Sequence, residues 1–244
     1  MRTIRTYVDL PLAAGTELDL PAVAIEHVVR VLRLTAGDAV TLFNGDGHDY
    51  AATLLSAGRG AARVRIASQL ANAAESPLPL TLAQGIARGD KMDLIVQKAT
   101  ELGAARVVPL ITERSEVRLD AARAAKRHAH WRAVAASACE QCGRSRVPDI
   151  LPALPLAAWL AALAGDGALR LALLPVATLS LRACQPPAAG AVLVIGPEGG
   201  LGARDVEALG AAGFAGLRLG PRILRTETAG IAALAALQAL HGDF

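Results

Sequence analysis

A glycine-rich loop that carries one carboxylate follows an apolar run late in the chain. The loop is Gly196-Pro197-Glu198-Gly199-Gly200, the apolar run is residues 192–195, and a helix is predicted to begin near Ala203. Glycines at the carboxyl end of a strand let the backbone approach a ligand closely, and α/β sheets bind cofactors at that edge. A purely structural turn would explain the glycines and the proline but not Glu198. The pattern therefore favours a ligand-binding loop.

A second loop, residues 219–229, also follows an apolar run and leads directly into the last helical pattern. Thr226 is typical of an N-cap and Glu227 of an acid in the first turn, so capping alone would explain that pair. Capping does not explain Arg225, which is placed to meet an anion or an electron-rich base edge. Two such strand–loop–helix elements, if adjacent, would form a pocket.

Cationic side chains are concentrated in the middle of the chain. There are 25 Lys and Arg against 22 Asp and Glu, a formal charge of +3, and only Lys91, Lys98 and Lys126 are lysines. The cationic excess lies within residues 81–150, where planar arginine side chains suit a phosphate backbone. A solvated face of an amphipathic helix explains the same charge equally well.

One CxxC pair, Cys139-Glu140-Gln141-Cys142, has the spacing of some metal and redox sites. We favour neither use, because there is no second CxxC, no histidine at ligand spacing, and the flanking residues predict a continuous helix. The 5 histidines form no nucleophilic or metal-binding pattern. We therefore expect no metal, and we interpret Glu140, Gln141 and Arg144 as polar groups able to touch a nucleotide.

The elements that would position these residues fall into two patterns. Before about residue 72, β-like runs at 39–43, 50–55 and 63–68 are separated by Gly/Asp turns, which predicts a small antiparallel sheet or barrel. One helix is predicted at residues 25–34 from its helical spacing of apolar residues. The composition of residues 71–79 then marks a domain boundary.

After residue 80, apolar runs alternate with helical patterns, which predicts an α/β fold with a largely parallel sheet. The predicted strands are residues 80–87, 106–111, 168–174, 191–195 and 216–219. The predicted helices are residues 91–102, 120–142 and 227–240, besides the one near Ala203.

The 244 residues, 53% of them hydrophobic and 3% aromatic, are enough for one large or two modest domains. The low aromatic content argues against a β-sandwich. The longest apolar stretch, residues 150–165, contains two prolines and falls short of the roughly 18 residues of a membrane span. The first residues lack the apolar run of a secretory signal, and 3 cysteines cannot form a disulfide framework. We expect a cytoplasmic protein with reduced thiols.

Five segments, taken in order, resemble those of one known family. They are KMDLIVQKATELG (91–103), ITERSEV (111–117), ACEQCGRSRVP (138–148), IGPEGGL (195–201) and LGPRILRTETA (219–229). HVVRVLRLTAGD (27–38) and FNGDG (43–47) extend the similarity toward the start of the chain. Over essentially its whole length, the chain resembles the small-subunit ribosomal RNA methyltransferase E family of the SPOUT superfamily.

This resemblance implies a PUA-like RNA-binding β-barrel over residues 1–72 and an α/β SPOUT methyltransferase domain with a C-terminal trefoil knot over residues 73–244. It implies S-adenosyl-L-methionine as cofactor, a homodimer, and methylation of N3 of a uridine in the decoding region of 16S rRNA in the small ribosomal subunit. In such proteins the cofactor lies bent in the knot. The matching positions are Leu174, Pro175, Gly196, Pro197, Gly199, Gly200, Leu219, Gly220, Ile223, Leu224 and Thr226.

Methylation at uridine N3 requires an aligned nitrogen and removal of the imide proton. We expect Arg225 to stabilise charge on the uracil carbonyl oxygens. Glu198 or Glu227 would accept the proton or orient the base, and the sequence does not choose between them. The predicted RNA contacts are basic or polar residues from both domains: Arg30, Arg33, Arg88, Arg114, Lys126, Glu140, Gln141, Arg144 and Arg146.

Two alternatives stay open at this point. A non-catalytic RNA-binding ribosome assembly factor would keep the fold, but it would have no need of the intact IGPEGG and RILRTET segments. A SPOUT methyltransferase acting on tRNA, at a ribose 2′-hydroxyl, is disfavoured by the PUA-like start of the chain and by the EQCGR segment.

Overall fold

The computed structural model divides the chain into two compact units, each with its own sheet. It describes residues 4–58, 60–117, 120–163, 165, 167–184 and 189–244. The first unit contains the residues up to Glu75 together with Ala136–Val147, and the second contains Ser76–Ala135 and Pro148–Phe244. The first unit is thus formed from two separate stretches of chain, and Glu75 ends the first of them.

The first unit contains a five-stranded sheet with the strand order β1-β3-β4-β5-β2. Its strands are β1 Arg5–Tyr7, β2 Glu17–Asp19, β3 Ala39–Phe43, β4 His48–Ala57 and β5 Ala62–Ala71. Strands β3, β4 and β5 form the predicted antiparallel hairpins, and Gly45 and Gly47 adopt φ values of 96° and 95° in the turn between β3 and β4. In contrast, β1 pairs with β3 in parallel.

The helix predicted at residues 25–34 differs in both form and extent. A short helix α1, Ala22–Ile25, continues into a π-helix, Glu26–Val31. The helical path ends before Leu34 because Arg33 adopts a left-handed φ of 57°. Ile25 and Val28 are buried in the core of this unit, so the apolar spacing correctly identified the inward face.

The second unit contains a seven-stranded sheet in which all pairs are parallel. Its strand order is β12-β10-β11-β6-β7-β8, and β9 also pairs with β7. The strands are β6 Leu80–Gly85, β7 Ala104–Ile111, β8 Asp149–Ile150, β9 Leu154–Pro155, β10 Leu169–Leu173, β11 Ala191–Ile195 and β12 Ala215–Leu217. All five residues of the central strand β11 are buried, as expected for a parallel strand covered on both faces.

Four of the five helices of the second unit agree with the predicted pattern to within a few residues, whereas α4 was not predicted. They are α2 Lys91–Glu101, α3 Ala121–Cys142, α4 Leu156–Ala162, α5 Ala203–Ala211 and α6 Thr226–His241, and the last part of α3 belongs to the first unit. Helix α6 lies against α2, β6 and β11 and buries Ala233, Leu234 and Leu237. No helix in the described ranges combines the length and apolarity needed to cross a membrane.

Candidate active site

Three loops meet at the carboxyl ends of neighbouring parallel strands and enclose a cavity of about 570 Å³. One loop follows β10, one follows β11 and one follows β12, and these strands are adjacent in the sheet. Ligands of open α/β sheets bind at this edge, because the loops there diverge and leave a crevice. We call this space the loop cavity.

Every residue expected to bind the cofactor lines the loop cavity. Leu174 and Pro175 come from the loop after β10, Gly196 to Gly200 from the loop after β11, and residues 219–226 from the loop after β12. The three residues expected to carry the chemistry, Glu198, Arg225 and Glu227, line it as well. The two glycine-containing segments identified in the sequence therefore do lie side by side.

The loop after β11 is folded so tightly that it requires glycine at Gly196. A Cβ atom there would lie 2.6 Å from the backbone carbon of Gly200, and Gly200 itself adopts a φ of 71°. The amide of Gly200 donates to the carbonyl of Pro197 at 2.8 Å and closes the turn. The loop thus presents backbone, instead of side chains, to much of the cavity.

The prediction that Thr226 is an N-cap is wrong. Helix α6 begins at Thr226, and Arg225 occupies the capping position, although its side chain forms no capping hydrogen bond within the described residues. The hydroxyl of Thr226 instead donates to the carbonyl of Gly196 at 2.6 Å and accepts from the amide of Gln84 at 2.8 Å. The reason is burial, since a hydroxyl with only 8% exposure at this residue must find a partner nearby, and the loop after β11 supplies it.

Gln84 was not identified from the sequence. It is fully buried at the end of β6, and its amide nitrogen donates to Gly85 and Thr226. It therefore ties β6 to the start of α6. The sequence did contain an indication of its role, namely a polar residue inside the apolar strand LTLAQG. A buried side-chain amide is costly unless it forms hydrogen bonds, so such a residue predicts hydrogen-bond partners nearby.

Lys91 is the second residue that the sequence analysis missed. Its Nζ lies 3.1 Å from Glu198 Oε1 and 3.6 Å from Glu227 Oε2, and it lines the loop cavity. The backbone amide of Arg88 also donates to Glu198 Oε1 at 3.1 Å. Burial raises the pKa of Glu198, but hydrogen bonds from its own amide, from the amide of Arg88 and from Lys91 outweigh this effect and lower it overall.

Four arginines are among the residues that line the loop cavity. Arg225 is exposed and lines it, as do Arg218 and Arg222. Arg114 donates from Nη1 to the carbonyl of Gly199 at 3.0 Å, so it supports the loop after β11. Arg88 forms an exposed ion pair with Glu116 at 2.9 Å. Arg88 is not among the residues that line the cavity, whereas Arg114, Arg218, Arg222 and Arg225 all line it.

The other predicted RNA contacts lie in several places. Lys126 lines a separate cleft of about 480 Å³ in the second unit, together with Arg123, Arg127 and His130. In the first unit, Arg30 is exposed and pairs with Glu26, and Arg33 is exposed. Arg146 is exposed in the first unit, and its guanidinium lies over Gly47, where a Cβ would be 2.7 Å from Nη2.

The expectation that Arg144 binds a phosphate does not fit the structure. Arg144 is only 4% exposed, and its Nε and Nη2 donate to Glu75 Oε2 at 3.0 and 2.9 Å. Because the guanidinium is buried and already holds a carboxylate, a phosphate would have to displace Glu75. Arg144 therefore has a structural position inside the first unit.

The two residues before the second cysteine also differ in setting. Glu140 accepts a hydrogen bond from the amide of Tyr7 at 2.9 Å, and burial raises the pKa of its carboxyl. Gln141 is exposed. Glu140 thus contributes to the inside of the first unit, and Gln141 remains at its surface.

The CxxC pair has the environment of a packed thiol. Cys139 is buried, and a hydrogen bond with Cys142 together with burial raises its pKa. A thiol held protonated is a poor nucleophile and a poor metal ligand. Within the residues that the structure describes, no group of three or more His, Cys, Asp or Glu side chains is arranged to hold a metal ion.

Two family models match this chain, and together they span both units. An RNA methyltransferase domain matches residues 74–238, and an RNA methyltransferase PUA domain matches residues 24–67. Among curated proteins, ribosomal RNA small subunit methyltransferase E of Buchnera aphidicola is 30% identical over 99% of this chain and 98% of its own length. The protein of the same name from Bacillus subtilis is 31% identical over 90% of each chain.

Solved structures agree. A crystal structure of ribosomal RNA small subunit methyltransferase E from Neisseria gonorrhoeae, bound to S-adenosyl methionine, has a TM-score of 0.93 and 38% identity over all of both chains. A methyltransferase from Legionella pneumophila in complex with the same cofactor has a TM-score of 0.94 and 41% identity, again over all of both chains. From its fold, its two matched domains and these relatives, the chain belongs to the ribosomal RNA small subunit methyltransferase E family.

Proposed function

We propose that this protein transfers a methyl group from S-adenosylmethionine to N3 of a uridine in the decoding region of 16S rRNA. One observation carries the proposal: the loops after β10, β11 and β12 enclose a cavity whose wall includes Glu198, Glu227 and Arg225. The shared cavity supports a cofactor site with proton-accepting groups beside it. Relatives of similar length and fold have been crystallised with S-adenosylmethionine.

The residues of the loop cavity fit this cofactor. Its volume of about 570 Å³ lies within the roughly 300–1,000 Å³ of small-molecule sites. The wall combines backbone of the glycine loops with apolar side chains, and Ile223 is 83% exposed, as expected for a side chain that contacts a bound molecule. A Cβ at Gly196 would collide with the loop itself. When bound, the cofactor supplies a methyl group already activated by a sulfonium.

The chain's own residues then have two tasks, alignment and charge stabilisation. Arg225, exposed at the cavity, is placed to donate to a uracil carbonyl oxygen as negative charge develops on the ring. Gln84 and Thr226 fix the loop after β11 against the start of α6, so the two walls keep their spacing. A carboxylate of the cavity takes the imide proton.

Binding of rRNA is assigned to exposed cations in both units. Arg30, Arg33 and Arg146 belong to the first unit, and Arg88 and Lys126 belong to the second. With an aromatic content of only 3%, stacking can contribute little, so recognition depends on phosphate contacts and on the shape of a folded RNA. The PUA-like match of the first unit supports this assignment.

Three further parts of the proposal follow from family membership. They are a trefoil knot in the C-terminal part of the second unit, a homodimer, and a division into an RNA-binding domain over residues 1–72 and a methyltransferase domain over residues 73–244. The compartment follows from the substrate, because ribosomal small subunits are in the cytoplasm.

The decisive test uses small ribosomal subunits that lack the modification and labelled S-adenosylmethionine, followed by nucleoside mass spectrometry. We expect 3-methyluridine. A 2′-O-methylated nucleoside would contradict the assigned target and favour the ribose-directed alternative. Cofactor and RNA binding without any transfer would favour an assembly factor.

A further inference from the structure

Lys91, the first residue of α2, lies between the two carboxylates of the loop cavity. Its Nζ is 3.1 Å from Glu198 Oε1 and 3.6 Å from Glu227 Oε2. The side chains of Lys91, Glu198 and Glu227 are 34%, 20% and 15% exposed. Partial exclusion of water strengthens the electrostatic interaction of one ammonium with both acids.

The two carboxylates are not bonded equally. Glu198 Oε1 accepts hydrogen bonds from the Arg88 amide and from Lys91. Glu227 Oε2 is buried, and no donor in the described part of the chain forms a hydrogen bond with it. A buried acceptor without a donor is costly, so it gains from a ligand that brings one. An imide N–H is such a donor.

We propose that Lys91 is a positioning residue that gives the two carboxylates different roles: it fixes Glu198 in the wall of the loop cavity and orients Glu227 to accept the proton of uridine N3. This inference rests on the proposed function and deepens it, because the sequence left the choice between Glu198 and Glu227 open. Glu227 is then the catalytic carboxylate.

The proton and electron balance of the step is simple. The N3–H bond breaks and its proton passes to the Glu227 carboxylate, which becomes a neutral acid. The electron pair left on N3 forms the bond to the methyl carbon, while the pair of the breaking S–CH₃ bond stays on sulfur, which leaves as a neutral thioether. Glu227 later returns its proton to solvent.

The pH dependence of this step reports on a cluster of charges. Glu227 lies 3.6 Å from the Lys91 Nζ of α2, and it shares the cavity lining with Glu198 and with four arginines, Arg114, Arg218, Arg222 and Arg225. Because Glu227 must be ionised to accept the proton, turnover falls as the pH is lowered.

The experiment measures kcat, KM for unmodified small subunits, cofactor affinity by calorimetry, and the pH profile of kcat. The variants are Lys91→Met, Lys91→Arg, Glu227→Gln and Glu198→Gln, each checked for an unchanged thermal transition. Lys98→Met is the matched control, because Lys98 lies on the same helix and pairs with Glu101 at 2.8 Å outside the cavity lining. The wild-type protein is assayed first, so failure to form 3-methyluridine would refute the proposed function separately.

We expect Glu227→Gln to lower kcat by about 10²–10⁴-fold and to abolish the acidic fall of the profile, the size typical of a lost general base. Lys91→Met should lower kcat by about 10²-fold with little change in cofactor affinity. Lys91→Arg keeps the positive charge, so its kcat should be at least about a tenth of the wild-type value. Glu198→Gln keeps the acidic fall.

Three results would overturn the inference. One is an acidic fall that persists in Glu227→Gln, and another is its disappearance in Glu198→Gln, which would exchange the two roles. The third is a Lys91→Met enzyme whose kcat and pH profile match those of Lys98→Met. If Glu227→Gln does not fold, the Glu198 and Lys91 variants still decide between the two carboxylates.

Discussion

Two clusters of charged residues, one in each unit, both pair acidic with basic side chains but differ in how fully their carboxylate oxygens are hydrogen-bonded. In the first unit, Asp49 and Glu75 hold Arg5 and Arg144, and both oxygens of each carboxylate accept hydrogen bonds. In the second unit, the cavity acids are held by Lys91 through few bonds, and Glu227 Oε2 has no hydrogen-bond donor within the described residues. The carboxylate oxygens of the first cluster are thus all bonded, whereas a buried carboxylate oxygen of the second has no donor within the described residues and belongs to a residue that lines a cavity.

Substitution of Arg225 tests the cavity side of this contrast, with a large expected effect on turnover. Arg225→Ala should lower turnover by about 10²–10³-fold, because a donor aimed at developing charge is lost. Cofactor affinity and the melting temperature should change little, since Arg225 is exposed. Single-turnover methylation of small ribosomal subunits measures the loss of turnover. Near-normal turnover at unchanged cofactor affinity would remove Arg225 from the mechanism.

Substitution of Glu75 tests the cluster of the first unit, whose carboxylate oxygens are all bonded. Glu75→Ala should destabilise the protein by about 2–4 kcal/mol, because the 4% exposed Arg144 loses the ion pair with Glu75, and should lower the melting temperature by about 5–10 °C. Glu17→Ala is the matched control in the same unit. Its partners Arg63 and Arg65 are more than half exposed, so it should cost about 1 kcal/mol or less.

Equal melting temperatures for the Glu75 and Glu17 variants would contradict the structural reading of Arg144. A loss of RNA affinity at unchanged stability would do so as well, since it would return Arg144 to the RNA-binding surface.

Charge reversal in the cleft that Lys126 and Arg127 line tests whether its cations contact RNA. Lys126→Glu combined with Arg127→Glu should weaken binding to small subunits about tenfold or more and reduce the salt dependence by about one or two counterions. Arg132→Glu, an exposed change on the same helix outside the cleft lining, is the control. If the affinity of the double variant depended on salt concentration as steeply as that of the control, the cleft would not be an RNA contact.

The smallest effect concerns Tyr50, whose hydroxyl donates to Asp46 at 2.7 Å in the first unit. This hydrogen bond raises the pKa of Tyr50 to about 12, and although burial opposes it, bonds from Tyr50 and His48 lower the pKa of Asp46. Tyr50→Phe should cost about 1 kcal/mol near pH 7.

The direction with pH follows from linkage. A lowered carboxyl pKa adds stability above the ordinary value of 3.8, and this stability is lost on acidification. A raised phenol pKa adds stability that is lost as the pH rises above the ordinary value of 10. The difference between Tyr50→Phe and wild type should therefore shrink below about pH 4 and above about pH 10. Thermal melts across that range measure it, and a difference independent of pH would contradict the Asp46 contact.

The sequence was sufficient where local pattern decides the structure. Strand β11 was predicted to the residue because its five apolar residues are bounded by glycine on both sides. The loop cavity was predicted because both of its main loops follow strands of one parallel sheet. In these places local composition and tertiary environment impose the same choice.

The sequence was insufficient where a partner distant in the chain decides. The local pattern predicted that Thr226 is an N-cap, but in the structure its hydroxyl accepts a hydrogen bond from Gln84, which is 142 residues away in the chain. Arg144 looked like a phosphate ligand because Glu75, 69 residues earlier, is not a neighbour in any local pattern. Lys91 was overlooked for the same reason, since its two carboxylates are more than a hundred residues away.

The discontinuous first unit has a consequence for biosynthesis. Asp49 and Glu75 leave the ribosome early, but Arg144 and Ser145, which occupy their oxygens, emerge roughly 70 residues after Glu75. At synthesis rates of about 5–20 residues per second, these acids wait several seconds for their partners. The ribosome synthesises the strands of the first unit first. The last residues of this unit are added only after β6, α2 and β7 of the second unit have been synthesised.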